Sequence, residues 1–205
     1  MEIAPYYERL LQFSSEQFGT EIIEARIRYF ATIGRVSESE TGFEQHLTNF
    51  LDWYVFERKL NDSGRTPAEL FFEQYGSGED EEQRLVLEGF TKTRRSLFQV
   101  LKSGAEGVAL CDLLERIKLC VIDPKPRGFA RKEIFQGRVI PVGECYYLSE
   151  ALIFHPMRAN RYIRNRARAH RKLERQAKEN LLSELAQKRL QSDRYKHVDV
   201  LYFYK

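Results

Sequence analysis

The run from Met157 to about Gln191 contains neither proline nor glycine, and this continuity constrains the fold more than any other feature of the sequence. Alanine, leucine, arginine and lysine are frequent in it, so it predicts one long helix. At about 1.5 Å per residue that helix would extend roughly 52 Å, whereas a compact chain of 205 residues is about 43 Å across. We therefore expect one half of the helix to dock and the other half to run along or off the surface.

The two halves of this predicted helix differ in character. Residues 158–178 carry nine basic side chains against the single acid Glu174, a net charge of +8 within 21 residues. The second half places apolar side chains at every fourth position, which predicts a stripe along one face. The basic residues are Arg158, Arg161, Arg164, Arg166, Arg168, Arg171, Lys172, Arg175 and Lys178. The apolar stripe consists of Leu173, Ala177, Leu181 and Leu185.

The composition is that of a soluble globular protein, with 42% hydrophobic and 31% charged residues. No apolar run approaches the roughly 20 residues of a membrane span, and the first residues lack the basic and apolar regions of a signal peptide. Three cysteines, an odd number without a CxxC spacing, indicate reduced and mostly buried thiols. We therefore expect a cytoplasmic protein.

The net charge of +3 conceals an asymmetry along the chain. Residues 1–90 sum to −10 and residues 91–205 sum to +13. Such a division fits an acidic half folded against a basic half, and it fits equally a basic half left free for an acidic partner. The sequence leaves both alternatives open.

Residues 1–93 predict an acidic helical domain. Apolar residues recur at helical spacing on both sides of Gly19, and capping boxes at Thr41 and Thr66 predict two helix starts. The aromatic side chains of this region could line a ligand groove, but such density is more often core, and we expect core. They are Trp53, Tyr54, Phe56, Phe71 and Phe72.

Residues 94–156 predict a small antiparallel β-barrel, SH3-like or OB-like, because several short strands follow one another with turn residues between them. The strands are expected at 97–101, 107–114, 117–122, 138–142, 145–148 and 151–154. Gly143 suits the first position of a tight hairpin turn. Residues 198–204 are a further strand candidate after the long helix, and they complete a third segment, 157–205. The chain is thus expected to be of the α+β class.

Two segments resemble a region of uncharacterised bacterial proteins, some of which also carry a SEC-C zinc motif. They are Phe50-Leu-Asp-Trp-Tyr-Val-Phe56 and Gly64-Arg-Thr-Pro-Ala-Glu69, and the similarity continues to Gly137-Arg-Val-Ile-Pro141 and Tyr147-Leu-Ser149. It covers about residues 45–155. The cysteine-rich SEC-C signature itself is absent, so the resemblance implies a bacterial intracellular origin but no zinc role.

No motif of a familiar enzyme occurs in the chain, neither a phosphate-binding glycine loop nor HExxH nor GxSxG. The four histidines are scattered, and they make no tetrahedral ligand set with the cysteines. Carboxylate pairs arise by chance among 30 acids. We therefore expect a non-enzymatic protein without metal or cofactor.

The loop expected between residues 125 and 138 interleaves basic and aromatic side chains. Cations bind phosphates and aromatic rings stack on unpaired bases, so this loop and the basic helix half form a candidate nucleic-acid surface. Its members are Lys125, Arg127, Phe129, Arg131, Lys132 and Arg138. The same arginines could instead pair with the acidic helices, and Phe129 could plug the barrel.

Two functions compete at this stage. The first is a nucleic-acid-binding protein, RNA-binding or ribosome-associated, in which Arg-rich surfaces contact phosphates without reading sequence. The second is a protein-interaction or scaffold module, in which the helix docks on an acidic protein or forms a homo-oligomer through its apolar stripe. Membrane attachment is not expected, because the basic half offers only Tyr162 and Ile163 as bulky apolar residues.

Overall fold

The computed structural model of the chain describes residues 2–34, 42–61, 63–105, 107–122 and 128–205. It confirms the predicted α+β class: a helical N-terminal region, a small closed barrel in the middle and a helical C-terminal region with one long helix. The helices are α1 (Ala4–Ile33), α2 (Phe43–Phe56), α3 (Pro67–Tyr75), α4 (Glu81–Thr91), α5 (Asn160–His170), α6 (Arg175–Arg194) and α7 (Val200–Phe203). A single 3-10 turn, Met157–Ala159, precedes α5.

Six strands form one sheet in the order β1-β2-β3-β5-β4-β6, and a further pairing of β1 with β4 closes the first five into a barrel. In this order β5 lies between β3 and β4, which is the arrangement of an OB-like barrel. The strands are β1 (Arg94–Gly104), β2 (Gly107–Asp112), β3 (Lys118–Ile122), β4 (Ile134–Val142), β5 (Cys145–Leu148) and β6 (Ile153–His155). Gly143 has a φ of +57° in the β4–β5 turn, as a tight hairpin requires.

The chain forms two compact units, residues 1–94 with 139–151, and residues 95–138 with 152–205. Whether the three segments expected from the sequence fold as separate domains stays a prediction. Of the helices that the structure describes, none combines the length and apolar character that crossing a membrane requires.

The first unit begins its helices where the local signals predict. Thr66 Oγ1 accepts a hydrogen bond from Glu69 N at 3.2 Å, and Thr66 N donates to Glu69 Oε2 at 2.7 Å, so the predicted capping box is present. A second box, Asp80 with Gln83, opens α4. Helix α1 continues through Gly19 but is kinked at Phe18. The predicted cap Thr41 lies outside the described residues.

Aromatic side chains of the first unit form its core. Phe71 and Tyr54 are fully buried, and Tyr54 lies 6.0 Å from the ring of Phe50. Phe13 contacts Phe71 at 5.4 Å between ring centroids, which joins α1 to α3. The core interpretation holds for Tyr54, Phe56 and Phe71, whereas Trp53 and Phe72 are half-buried.

The second unit packs its C-terminal helices on the sheet. Apolar residues from α5, α6 and Tyr204 meet strand residues in one core, which stabilises the unit by removing apolar surface from water. The fully or nearly buried members are Leu97, Leu113, Leu114, Ile134, Ala159, Ile163, Ala167, Leu181, Leu182, Leu185 and Tyr204.

The prediction of one continuous helix from Met157 to Gln191 is wrong in extent. The helix ends at His170 and resumes at Arg175, and α6 runs back along α5, since Tyr162 and Arg166 both contact Glu184. The buried side of α5 would continue at or beside residues 170, 171 and 174, which are histidine, arginine and glutamate. The chain reverses there instead, and Arg171 Nε donates to the backbone oxygen of Leu113 at 2.9 Å.

The expected terminal strand at 198–204 is also wrong. Asp199 Oδ1 accepts a hydrogen bond from Leu201 N at 2.9 Å and starts the short helix α7. The chain then brings Tyr204 into the core, where its hydroxyl lies 3.0 Å from Nδ1 of His155. Burial of this tyrosine, rather than strand pairing, holds the segment.

Candidate nucleic-acid interface

Helix α5 has a narrow apolar side and a broad charged side. Ala159, Ile163 and Ala167 recur every four residues and are completely buried. The small alanine side chains let the helix lie close to the sheet, and everything on the opposite side faces solvent. The basic residues of 158–172 are therefore divided between the flanks and the outer face of this helix.

Several of the predicted basic residues are engaged inside the second unit. Arg166 Nη2 lies 2.6 Å from Glu184 Oε2, and Arg158 Nη2 lies 2.9 Å from Asp199 Oδ2. The remaining engaged residues are Arg171, bound to the Leu113 carbonyl, Arg175, paired with Glu179, and Lys178, paired with Glu115.

The Arg166–Glu184 pair links α5 to α6 and is partly buried. Burial raises the pKa of the Glu184 carboxyl, but hydrogen bonds from Arg166 and Tyr162 outweigh burial and hold that pKa below its ordinary value. The hydrogen bond to Glu184 raises the pKa of the Arg166 guanidinium. Arg166 thus joins α5 to α6 and is not available to an external anion.

Four cations on the outer face have no such contact. Arg161, Arg164, Arg168 and Lys172 are exposed, and in the part of the chain that the structure describes their side chains make no hydrogen bond or ion pair. The spacing of three and four residues places the three arginines on one face of α5 over about 10 Å, and Lys172 follows in the turn after the helix. We call these four residues the cation stripe.

Two further predicted residues lie beside the start of this stripe. Arg131 and Lys132 are exposed in the turn before β4. Asn160 Nδ2 donates a hydrogen bond of 2.9 Å to the backbone oxygen of Lys132, which fixes the turn to the first residue of α5. Lys125 and Arg127 lie outside the described residues.

Burial removes two predicted residues from the surface. Arg138 is only 2% exposed, because β4 begins at Ile134 and not at residue 138 as expected. Phe129 is 6% exposed and packs against Phe135 at 5.4 Å and Phe154 at 5.8 Å between ring centroids. Neither side chain can contact a ligand here, and Phe129 serves the core, the alternative that the sequence left open.

A sequence model of a family of unknown function, DUF7986, matches residues 23–184, which is most of the chain. The chain belongs to the DUF7986 family. The match spans both units and includes the cation stripe. No curated protein and no solved structure matches the chain significantly. The resemblance to proteins with a SEC-C motif stays a prediction, since membership of DUF7986 does not bear on it.

The apolar stripe expected to bind a partner helix does not form one surface in this DUF7986 member. Leu181 and Leu185 are buried in the core of the second unit beside Ile163, whereas Leu173 is 47% exposed in the break between α5 and α6. Ala177 is half-buried. The helix break separates the first residue of the stripe from the other three, which lie on α6.

The expectation of mostly buried thiols is wrong. Cys120 and Cys145 are exposed and Cys111 is half-buried. Cys120 alternates with the buried Leu119 and Val121 along β3, so it lies on the outer face of the strand. Among the described residues, no three histidine, cysteine or acidic side chains are grouped closely enough to hold a metal ion.

One surface feature near the cation stripe has no counterpart in the expectations from the sequence. Four large apolar or aromatic side chains are exposed together around α7 and the 3-10 turn that it contacts. We call this group the tyrosine patch; it consists of Met157, Tyr195, Leu201 and Tyr202. The prediction of a strand at 198–204 concealed it, because alternation along a strand would have left only one of Leu201 and Tyr202 at the surface.

Proposed function

We propose that this member of the DUF7986 family is a non-enzymatic, cytoplasmic RNA-binding protein that contacts the phosphate backbone of cellular RNA, such as that of the ribosome. The cation stripe carries the proposal. Three of its four members are arginines, whose planar guanidinium groups bind two phosphate oxygens at once. The turn with Arg131 and Lys132 extends the same surface at the start of α5.

The distribution of ion pairs supports this proposal. Four basic residues of the segment pair with acids of the second unit and so contribute to its internal contacts. They are Arg158, Arg166, Arg175 and Lys178. The stripe has no acidic partner among the described residues. Like charges at helical spacing repel one another, and an external polyanion relieves that repulsion.

The competing function, a protein-interaction module, divides into two cases. Self-association through the apolar stripe loses its basis, because Leu181 and Leu185 belong to the core. An acidic protein could still bind the cation stripe, so the experiment includes a polyglutamate competitor.

The test compares the salt dependence of RNA binding in matched variants. Binding of a mixed-sequence RNA should weaken linearly on a log–log plot of affinity against salt. Replacing Arg161, Arg164 and Arg168 by glutamine should reduce the slope by about 2 units on single-stranded RNA, at about 0.7 per phosphate contact. Arg28→Gln, an exposed arginine on α1, is the control for loss of charge and should leave the slope unchanged.

Two results would refute the proposal. One is the absence of RNA binding at low salt. The other is a loss of slope per charge removed that is equal in the Arg28 control and in the triple variant, which would mean that net charge and not the stripe drives binding. Stronger competition by polyglutamate than by RNA of equal charge would favour the acidic protein partner.

A further inference from the structure

The tyrosine patch is not explained by the packing of the second unit. Tyr202 is 62% exposed and Leu201 is 43% exposed, although the neighbouring Tyr204 is buried. Tyr195 stacks on Phe203 with ring planes 17° apart and still remains half-exposed. A tyrosine ring that the fold leaves in solvent offers a flat apolar surface with a polar edge.

The patch adjoins the cation stripe. Arg158 Nη2 binds Asp199 Oδ2 at 2.9 Å, and Asp199 in turn caps the helix that carries Leu201 and Tyr202. Arg158 precedes Arg161, the first member of the stripe, by one helical turn. Phosphate-binding and apolar surfaces therefore meet at the start of α5.

The immediate surroundings of Tyr202 are also cationic. Lys205 Nζ lies 3.9 Å from the centroid of the Tyr202 ring, a cation–π contact. The ammonium group covers one face of the ring, so a base would stack on the opposite face, and the cation would attract a phosphate of the same strand. Proteins that bind single strands combine these two elements, a basic track for the backbone and aromatic rings for the bases.

From this arrangement we infer that the ligand is single-stranded RNA, with an unpaired base stacked on Tyr202 and its backbone continuing along the cation stripe. This inference rests on the proposed function and specifies its substrate class. A duplex has no free base face for Tyr202, whereas unpaired bases stack on aromatic rings irrespective of sequence.

The experiment measures binding of three RNA probes with equal numbers of phosphates: a mixed-sequence single strand, the same strand with abasic residues, and a blunt duplex. Tyr202→Ala should weaken binding of the mixed-sequence strand about tenfold. It should leave the affinity for the abasic strand and the salt slope unchanged, because no charge is removed. Tyr202→Phe keeps the ring and should bind like the wild type.

Leu201→Ala is the matched control, because it removes exposed apolar surface next to Tyr202 without removing a ring. Its RNA affinity should remain close to that of the wild type. Thermal unfolding of each variant checks that an exposed substitution has left the fold intact.

The outcomes separate this inference from the proposed function. Salt-dependent binding that is equal for the mixed-sequence and abasic strands, or unaffected by Tyr202→Ala, would overturn base stacking and leave backbone binding standing. Equal losses in the Leu201 and Tyr202 alanine variants would also overturn it, since they indicate general apolar docking. Failure of the wild type to bind any probe would refute both.

Discussion

Acid should destabilise the second unit chiefly through one buried histidine. His155 is 4% exposed, and burial followed by the charge of Arg189 lowers its pKa to about 3. Its hydrogen bonds identify the neutral form. Gln136 Nε2 donates to the Leu182 carbonyl at 2.9 Å, which orients the amide, and the same nitrogen lies 3.4 Å from His155 Nε2.

Since an amide nitrogen only donates, His155 Nε2 must be the unprotonated acceptor and Nδ1 must carry the proton toward the Tyr204 hydroxyl. Protonating Nε2 would place one N–H against another. The folded pKa therefore lies below the ordinary histidine value of 6.5, and the unfolded chain binds the proton first. Stability is complete above that value and is lost as the pH falls through it toward 3.

The size of the loss follows from the two pKa values. Between about pH 8 and about pH 5, the free energy of unfolding should fall by roughly 2 kcal/mol because of His155. The carboxylates with lowered pKa values, such as Glu184 and Asp199, act mainly below their ordinary values of 4.5 and 3.8. This pH interval therefore isolates the histidine.

Urea unfolding followed by circular dichroism, at about pH 8 and about pH 5, measures this loss in wild type and in His155→Asn. The asparagine can still bond the Tyr204 hydroxyl but does not titrate. It should lower stability at both pH values and remove the difference of about 2 kcal/mol between them. His197→Gln, at an exposed histidine, should retain the difference. A variant at residue 155 that keeps the full pH dependence would refute the assignment.

Two further substitutions test the packing of each unit. Gly89→Ala should lower the unfolding temperature, although alanine favours helices, because its Cβ would lie 2.0 Å from the Pro141 carbonyl oxygen; the cost is about 1–3 kcal/mol. Gly19→Ala, with open space around the new Cβ, is the control and should be neutral or stabilising in the same thermal scan. Glu184→Gln removes the charged hydrogen bond to Arg166 between α5 and α6, so the free energy of unfolding measured in urea should fall by about 1–2 kcal/mol. An unchanged midpoint would contradict this.

Features that depend on a few adjacent residues were predictable from the sequence. The capping box of Thr66 and the tight turn at Gly143 have local causes, and the structure contains both. The strands of the barrel followed from alternation and turn residues. The beginning of β4 at Ile134 could not be predicted in this way. Residues Ile134 to Arg138 are all buried, so they lack the alternation that identifies a half-buried strand.

The break between α5 and α6 had a signal that helix propensity obscures. Ala159, Ile163 and Ala167 predict the buried side of a helix, but the next positions at or beside that side, 170, 171 and 174, are histidine, arginine and glutamate. Burying them would leave charges without water. Absence of proline and glycine shows only that a helix is possible there, whereas the lapse of the apolar pattern indicates where it must end.

The same reasoning predicts in part which arginines face solvent. Acidic partners such as Glu184 for Arg166, or Glu115 for Lys178, come from distant sequence positions, so no local pattern predicts them. The outer face is different. Once Ile163 and Ala167 define the buried side, helical geometry places Arg161, Arg164 and Arg168 opposite to it, out of reach of α6. The net charge of the segment therefore overstates the number of cations that can bind a ligand. Whether a cation can contact a phosphate depends on its position relative to the apolar side of the helix.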